Sequence, residues 1–327
     1  MKKIIAAMLS AMVGLFGYTI VDTAIETRVS ELESRVAELE AYHEYNDVTP
    51  DNPSVKPTAP TTVPSATGSG TCGDYATWEL TADGTLTISG KGDMYDTDPE
   101  WKEYLESIKR VIVNNGITSI GNHAFYRCMN LTSINLPNGI TSIGNDAFNR
   151  CMNLTSITIP DSVTIIGSYA FDDCTSLANI NIPYGITRLE SSVFSYCSSL
   201  KNITIPDSVT RIDYGSFRGC TSLAVINIPD SVVFMDQSVF EDCTSLESIS
   251  IPDKVEYIDD YTFSGCTNLK SITIGKGVKS IGEMAFAKCT SLTDVYYAGT
   301  EEEWNAIEIG KNNALLTDAN IHYNYTA

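Results

Sequence analysis

The sequence predicts a repeat solenoid, a right-handed stack of short repeats in which each repeat adds one strand to a continuous parallel β-sheet. Three observations support this prediction. Cysteines recur at an interval of 23 residues, phenylalanine and leucine recur in the same register, and an aliphatic pair follows each leucine. Proteins with repeats of about 20–50 residues stack their units, because one unit is too small to bury its own apolar side chains.

The register is set by eight of the nine cysteines. A phenylalanine precedes each of them by three residues and a leucine follows by three, as Phe171 and Leu177 do around Cys174. Aliphatic residues follow at six and eight residues, as Ile180 and Ile182 do. The pattern Leu-x-x-Ile-x-Ile predicts a leucine-rich-repeat solenoid. The eight cysteines are Cys128, Cys151, Cys174, Cys197, Cys220, Cys243, Cys266 and Cys289.

A proline follows the predicted strand in six successive repeats, and Asp or Asn usually comes next. Because proline fixes φ and donates no hydrogen bond, it ends the strand at the same point of every rung. A second apolar pair, such as Val163 and Ile166, completes the inward side chains. We expect about nine rungs and a sheet roughly 40 Å long. The prolines are Pro137, Pro160, Pro183, Pro206, Pro229 and Pro252.

The repeats are predicted over residues 105–297, with a cap on either side. Residues 71–104 predict an N-terminal β-hairpin cap, because two strand-like segments flank an Asp-Gly turn. Residues 298–327 predict a C-terminal α/β cap, in which Thr300 and Glu303 form the capping box of a short helix. Caps cover the exposed ends of a solenoid and so protect it from aggregation.

The N-terminal residues 1–24 predict a signal anchor or a signal peptide. Two lysines precede an uncharged run from Ile4 to Val21, which would be about 27 Å long as a helix. This length barely spans a bilayer. Cleavage requires small residues just before the cut, and the candidates are poor. We favour a transmembrane helix that anchors the protein at the cell surface. Secretion after cleavage and a buried helix are the alternatives.

Two segments follow this predicted helix. Residues 25–47 predict a short helical stalk with a weak coiled-coil signal, because apolar residues alternate at spacings of four and three. The pattern covers fewer than the three to four heptads that define a coiled coil, so a solvated helix is the alternative and the oligomeric state stays open. Residues 48–70 are rich in Pro, Thr and Ser and predict an extended linker.

The composition argues against several classes of function. The chain has 41 acidic and 21 basic residues, a formal net charge of −20, which opposes binding to nucleic acids or to anionic membrane surfaces. We therefore expect no nucleic-acid partner, and membrane contact only through the N-terminal helix. Three histidines and the absence of known catalytic motifs predict a protein that is not an enzyme and has no cofactor. Asp172-Asp173 is interpreted as part of a solvated acidic face rather than a calcium site.

We interpret the eight in-register cysteines as buried free thiols. Each has the same place in its rung, and cysteine packs as a small apolar residue. Zinc sites use cysteines paired at short spacing, and the sequence contains no Cys-x-x-Cys. Cys72 lies outside the register and is the one cysteine that could be exposed. It could link two chains, although a place within the cap is the simpler interpretation.

The repeat Ile-Pro-Asp-Ser-Val-Thr-x-Ile-x-x-x-x-Phe-x-x-Cys-Thr-Ser-Leu, as in residues 205–223, resembles the BspA-like leucine-rich repeat family of microbial surface proteins. The hairpin at residues 78–94 and the tail at residues 295–304 are similar to segments that flank such repeats in bacteria. The resemblance covers roughly residues 72–325. It implies a cell-surface or secreted location, adhesion to host proteins or other cells for some members, and no catalytic residues.

The predicted binding face consists of the outward side chains of the repeated strands. Side chains alternate between the two faces of a strand, so Ser133 and Asn135 point outward when Ile134 points inward. The same offset gives two rows of small, nearly uncharged side chains that suit many weak hydrogen bonds to a ligand. A solvated face without a ligand is the alternative. The predicted residues are Ser133, Asn135, Ser156, Thr158, Asn179, Asn181, Asn202, Thr204, Asn227, Ser250 and Thr273.

These observations predict an exported scaffold, tethered to the cell surface, that binds extracellular protein or glycan ligands in adhesion or another surface interaction. Three other classes stay open: a passive spacer, an ice-binding surface built from the Thr, Ser and Asn rows, and an undetected hydrolase. If the rows bind nothing, tyrosines on the convex turns are the next candidates. They are Tyr169, Tyr184, Tyr214 and Tyr261.

Overall fold

A computed structural model describes residues 67–96 and 99–326. The predicted signal helix, the predicted stalk and residues 48–66 of the predicted linker lie outside the described residues. Within the described ranges, none of the helices has the length and apolar character needed to cross a bilayer. The described residues form a parallel β-solenoid whose rungs repeat every 23 residues, as the cysteine register predicts.

Three antiparallel strands precede the repeats: β1 (Gly68–Gly73), β2 (Ala76–Leu80) and β3 (Thr85–Gly90). The Asp83-Gly84 turn joins β2 to β3, and the Asp83 carboxylate accepts a hydrogen bond from the Thr85 N–H at 3.1 Å. Strand β3 then pairs in parallel with the first strand of the repeats.

Strand β1 includes residues 68–70, which the sequence analysis assigned to the linker. Small residues occur there because bulky neighbours approach the backbone closely. A Cβ atom on Gly70 would lie 2.7 Å from Nε1 of Trp78. The glycines that resemble a flexible linker are therefore explained by packing in a strand.

Most repeats form two short strands, and successive repeats align them into two parallel sheets. Sheet one contains the first strand of each repeat and sheet two contains the second. Partner residues lie one repeat apart, as Ser248 and Ser271 do in sheet one and Tyr257 and Ser280 do in sheet two. The remaining strands are β4 (Arg110–Val113), β5 (Ser119–Ile120), β6 (Ser133–Asn135), β7 (Ser142–Ile143), β8 (Ser156–Ile157), β9 (Ile165–Ile166), β10 (Asn179–Ile180), β11 (Arg188–Leu189), β12 (Arg211–Ile212), β13 (Phe234–Met235), β14 (Ser248–Ile251), β15 (Tyr257–Ile258), β16 (Ser271–Ile274), β17 (Ser280–Ile281), β18 (Asp294–Tyr297), β19 (Glu308–Ile309) and β20 (Asn320–His322).

The prediction of one continuous sheet is wrong in two respects. Sheet one consists of the separate groups β1-β2-β3-β4-β6, β8-β10 and β14-β16-β18-β20, with a bridge between Asn202 and Val225 before the last group. Sheet two was not predicted, because its strands in the repeats are two residues long and too short to show alternation. The second apolar pair of each repeat nevertheless points inward, as in Val163 and Ile166.

The interior consists of columns in which one residue type repeats. The Phe148 and Phe171 rings stack with their centroids 5.2 Å apart and their planes 7° apart. This column runs from Phe125 to Phe286, and Trp101 extends it by stacking on Phe125 at 5.9 Å. Such columns form because each rung buries the face that its neighbour leaves open.

The eight in-register cysteines are free and buried, which confirms that interpretation. The thiol of Cys174 donates to the carbonyl of Phe148 in the preceding rung at 3.1 Å, and the same bond recurs in the neighbouring rungs. Burial raises the pKa of the Cys151 thiol well above its ordinary value. The column is therefore a set of packed, protonated thiols.

Cys72 is not exposed, contrary to the possibility that the sequence left open. Its exposed fraction is 5%, because its side chain lies on the inner face of β1. Burial, together with the nearby Glu100 carboxylate, raises the pKa of the Cys72 thiol to about 12. A protonated and buried thiol is poorly placed to link two chains.

The C-terminal residues contain two short helices, α1 (Glu301–Asn305) and α2 (Ala314–Thr317). The predicted capping box is confirmed. The Glu303 N–H donates to Oγ1 of Thr300 at 3.2 Å, and the Thr300 N–H donates to the Glu303 carboxylate at 2.7 Å. Strand β20 pairs with β18, so sheet one extends beyond the last cysteine repeat.

Candidate functional site

The predicted binding rows lie on the outer face of sheet one. Every predicted residue is exposed except Thr273, which is half-buried. Their inward neighbours, such as Ile157 and Ile203, are buried. The alternation of a strand therefore places two rows of hydroxyl and amide groups along the solenoid. Val225 is the one apolar residue within these rows, and 62% of its surface is exposed.

Repeated polar side chains elsewhere in the solenoid are used to join one rung to the next. The Ser208 hydroxyl donates to the Ile186 carbonyl at 2.7 Å, and the Asn153 amide donates to the Met129 carbonyl at 2.8 Å. Over residues 67–96 and 99–326, the side chains of the predicted rows form no such bond, with the exception of Asn181. The rows thus keep their hydrogen-bonding capacity for solvent or a ligand.

The Asn181 side chain has a structural role. Its Oδ1 accepts a hydrogen bond from the Ile159 N–H at 2.8 Å, and its Nδ2 donates to the Ile159 carbonyl at 2.8 Å. The Asn181 amide thus forms with the backbone of the preceding rung the two hydrogen bonds that a paired strand would otherwise form. Sequence reasoning could not distinguish Asn181 from Asn179, because both occupy outward positions of the same strand pattern.

A cleft of about 270 Å³, here called the Tyr184 cleft, lies on this face between two successive rungs. It brings together the predicted residues Asn181, Asn202 and Thr204. The sequence grouped Tyr184 with tyrosines of the convex turns. The structure instead places it beside sheet one, because the turn at Pro183 directly follows the strand. The lining residues are Ile180, Asn181, Ile182, Tyr184, Asn202, Ile203, Thr204 and Pro206.

A second cleft of about 500 Å³ lies farther along the same face, toward the C-terminal residues. It contains the predicted residues Ser250 and Thr273. Charged side chains of both signs line it, including Asp253 and Lys254, and Tyr325 forms part of its wall. The two clefts therefore differ in chemistry although they share a face.

Sheet two carries an outward row that the sequence analysis missed. The Arg188 and Arg211 guanidinium groups both contact the buried Asp213 carboxylate, and Arg211 also lies over the Phe234 ring at 4.0 Å from its centroid. The sequence could have revealed this row. The equivalent position is serine in other repeats, as at Ser142, whereas the central repeats carry larger side chains there. The row is Ile165, Arg188, Arg211, Phe234 and Tyr257.

The interpretation of Asp172 as solvated is wrong. The residue is buried, because it follows Phe171 in the turn that leads from sheet two back to sheet one. Burial raises the pKa of its carboxyl to about 7, although a hydrogen bond with Ser195 acts in the opposite direction. Within the described part of the chain, no group of three or more His, Cys, Asp or Glu residues is arranged to hold a metal ion.

Comparisons with known proteins agree with the repeat pattern. A family model described as the BspA type leucine rich repeat region matches residues 103–224 and 187–306, in six copies. None of the curated proteins matches the chain.

Several solved structures are similar. A leucine rich cell surface protein from Faecalibacterium prausnitzii is 24% identical, with 78% of this chain and 98% of that chain covered and a TM-score of 0.44. A leucine-rich repeat protein from Bacteroides ovatus is 25% identical, with 68% and 81% covered and a TM-score of 0.43. A leucine rich repeat protein from T. pallidum is 26% identical, with 67% and 88% covered and a TM-score of 0.42.

Proposed function

Because the chain belongs to the BspA-type leucine-rich repeat family, we propose that it is an exported scaffold, tethered to the cell surface, that binds an extracellular protein or glycan through the outer face of sheet one. Adhesion or another cell-surface interaction is the role that such a scaffold serves. Binding then needs no catalytic residue and no cofactor.

One observation carries this proposal: apart from the bonded Asn181 and the half-buried Thr273, the predicted residues on sheet one are exposed, nearly uncharged and free of side-chain bonds to neighbouring rungs. The packing of the solenoid does not require these side chains, whereas it requires the bonded Ser, Thr and Asn residues elsewhere. Many weak hydrogen bonds, spread over several rungs, suit an extended ligand. Binding through uncharged groups also depends little on ionic strength.

The surface location in this proposal rests on the apolar N-terminal run and on the family. The run from Ile4 to Val21 would serve as the membrane anchor, with residues 25–66 as the stalk and linker. The strands β1 to β3 and the residues after β18 would act as the caps of the right-handed stack. Fractionation of cells that express the full chain tests the anchor: we expect the protein in the membrane fraction. A mature N-terminus near Asp22 or Glu26 would show cleavage instead.

The binding face is tested with the full chain against immobilised extracellular-matrix proteins, a glycan panel and whole cells. The row variant replaces four outward residues of sheet one with lysine and spares the structural Asn181. We expect it to fold normally, as judged by circular dichroism, and to lose at least tenfold in affinity. The four residues are Asn179, Asn202, Thr204 and Asn227.

A matched control adds the same charge to exposed positions that lie in, or directly before, strands of sheet two. We expect this control to bind as the natural chain does. Equal affinity of the row variant and the natural chain would move the binding site away from sheet one. Absence of binding to every probe would favour a passive spacer. The control positions are Ile165, Thr187, Val233 and Tyr257.

A further inference from the structure

Tyr184 departs from the repeat at a position that the fold leaves free. In neighbouring repeats the residue after the strand proline is Asp, as at Asp161 and Asp207, whereas Tyr184 follows Pro183. Its exposed fraction is 79%, and among the described residues no aromatic ring stacks on it. Packing therefore does not explain the tyrosine, and an exposed ring beside a cleft is a ready contact for a ligand.

The residue after Tyr184 departs from the pattern as well. Serine occupies this position in neighbouring repeats, and the Ser162 hydroxyl donates to the Ile140 carbonyl of the preceding rung at 2.5 Å. Gly185 has no side chain to form the equivalent bond. Two adjacent residues thus depart from the repeat. Tyr184, which lines the cleft, replaces an acidic side chain, and Gly185 lacks the bond to the preceding rung.

The lining of the Tyr184 cleft contains no charged side chain, although the chain carries 41 acidic residues. The exposed ring of Tyr184 supplies apolar surface, and Asn202 and Thr204 supply an amide and a hydroxyl. The larger cleft on the same face differs, because Asp and Lys side chains line it. A ligand of the Tyr184 cleft must therefore offer both apolar surface and uncharged hydrogen-bonding groups.

One polar side chain of the cleft, that of Asn181, is held in place by the fold. Both polar atoms of the Asn181 amide are bonded to the Ile159 backbone, so this side chain forms a fixed wall. Asn202 pairs with Val225 in the next rung, which continues the surface beyond the cleft with an exposed apolar side chain. A ligand that extends past the cleft meets Val225 next.

We propose that the Tyr184 cleft is a subsite for one neutral sugar residue of an extended glycan. A pyranose ring carries C–H groups on one face, which pack against the electron-rich face of an aromatic ring. Its hydroxyl groups match the amide of Asn202 and the hydroxyl of Thr204. A carboxylate or phosphate would find no cation here, and the net charge of the chain repels it. The cleft, with a volume of about 270 Å³, has room for a single sugar ring.

This inference rests on the proposed function and names the ligand class at one point of its binding face. The full chain is titrated by calorimetry with maltohexaose, cellohexaose, mannohexaose and chitohexaose, and with oligogalacturonate as an anionic probe. We expect at least one neutral oligosaccharide to bind, with an affinity that stays within twofold between low and high salt. We expect no binding of oligogalacturonate.

Substitutions of Tyr184 locate the subsite. Tyr184→Ala should weaken the binding of that oligosaccharide at least tenfold, and Tyr184→Phe, which keeps the ring, should stay within about threefold. Tyr184→Asp restores the residue of the repeat and should abolish binding without a change in circular dichroism. Tyr75→Ala removes an exposed tyrosine from the turn between β1 and β2 and is the matched control. It should have no effect.

The possible failures are distinguishable. If no neutral oligosaccharide binds at millimolar concentration, the inference is wrong. It is equally wrong if Tyr184→Asp binds as well as the natural chain. In either case, loss of a matrix protein or of cell binding in the row variant would leave the proposed function standing. Unchanged binding of every probe by the row variant would instead remove sheet one as the binding face of the proposed function.

Discussion

Sheet one and sheet two are built from the same repeat but present different outer faces. Two outward side chains of sheet two, those of Arg188 and Arg211, find a partner within the solenoid in Asp213. Those of sheet one are small, and most make no bond to the protein. The inward positions of both sheets are fixed by packing, so only the outward positions are free to differ. The comparison teaches that an outward residue without an internal partner is the better candidate for ligand contact.

The largest expected effect tests whether the two sheets enclose one common interior. Ile203 lies beneath sheet one and Ile212 beneath sheet two, and both are buried. Replacing either with alanine should lower the free energy of unfolding by about 2–5 kcal/mol, because each leaves a cavity. Urea unfolding measures both. A loss below about 0.5 kcal/mol at either site, typical of a surface substitution, would show that one sheet does not cover the core.

The next effect tests the internal partners on sheet two. Asp213 is 1% exposed, and its carboxylate accepts hydrogen bonds from two guanidinium groups. Asp213→Ala should lower the free energy of unfolding by about 2–3 kcal/mol, because both guanidinium groups lose this partner. Asp207→Ala, at an exposed turn, is the matched control and should change it by less than about 0.5 kcal/mol. Equal effects of the two substitutions would remove the contrast between the sheets.

A pH-dependent effect concerns the turns that join the two sheets. Asp172 has a pKa of about 7 in the folded chain, which burial raises from its ordinary value near 4. At pH values between about 4 and about 7, the Asp172 carboxyl binds more protons in the folded state than in the unfolded state. The natural chain should therefore lose stability as pH rises through this window, and the loss is complete above about pH 7.

The Asp172→Asn variant isolates this titration. Relative to the natural chain, it should gain on the order of 2 kcal/mol of stability as pH rises from 5 to 8. Urea unfolding at both pH values measures the difference. Parallel pH profiles for the two chains would mean that the carboxyl is hydrated and ionised in the folded state.

The smallest effect compares two asparagines within sheet one. Asn181→Ala should lower the free energy of unfolding by about 1 kcal/mol, because the Ile159 backbone loses two hydrogen bonds. Asn179→Ala, two residues away on the same face, should change it by less than about 0.5 kcal/mol. Thermal unfolding of the pair is the measurement. If both substitutions cost the same, the division between structural and free side chains on this face is not real.

The sequence was sufficient to predict which side chains face the interior of the solenoid. A constant interval between cysteines places the in-register Phe, Leu and Ile residues in their columns, because stacked rungs must bury the same positions. The outer half depends on contacts that a periodic pattern does not encode. Asn181 and Asn179 have the same outward position, yet only one reaches the backbone of the preceding rung. The placement of Tyr184 beside sheet one likewise follows from the path of a turn.

The other two differences between the sequence predictions and the structure, in sheet two and at Cys72, each have a local physical cause. Sheet two has strands of two residues in the repeats, too short for alternation to appear. Cys72 stands outside the cysteine register, so its burial follows from pairing of β1 with β2, which its small-residue sequence did not predict. The roles of the outward rows in binding stay predictions, since side-chain exposure alone does not identify a ligand.

The bonds between rungs have a consequence for how such a gene can change in length. The Thr, Ser and Cys side chains that link adjacent rungs reach back 22 to 26 residues, always to the equivalent group of the preceding unit. Unequal recombination can delete or duplicate one 23-residue segment. At the new junction, each Thr, Ser or Cys donor then still meets a backbone carbonyl of the kind that it met before, so the hydrogen bonds between the two rungs are kept. The array can grow or shrink by whole units between unchanged ends. The length of the outer face of sheet one can thus change without a new kind of junction between rungs.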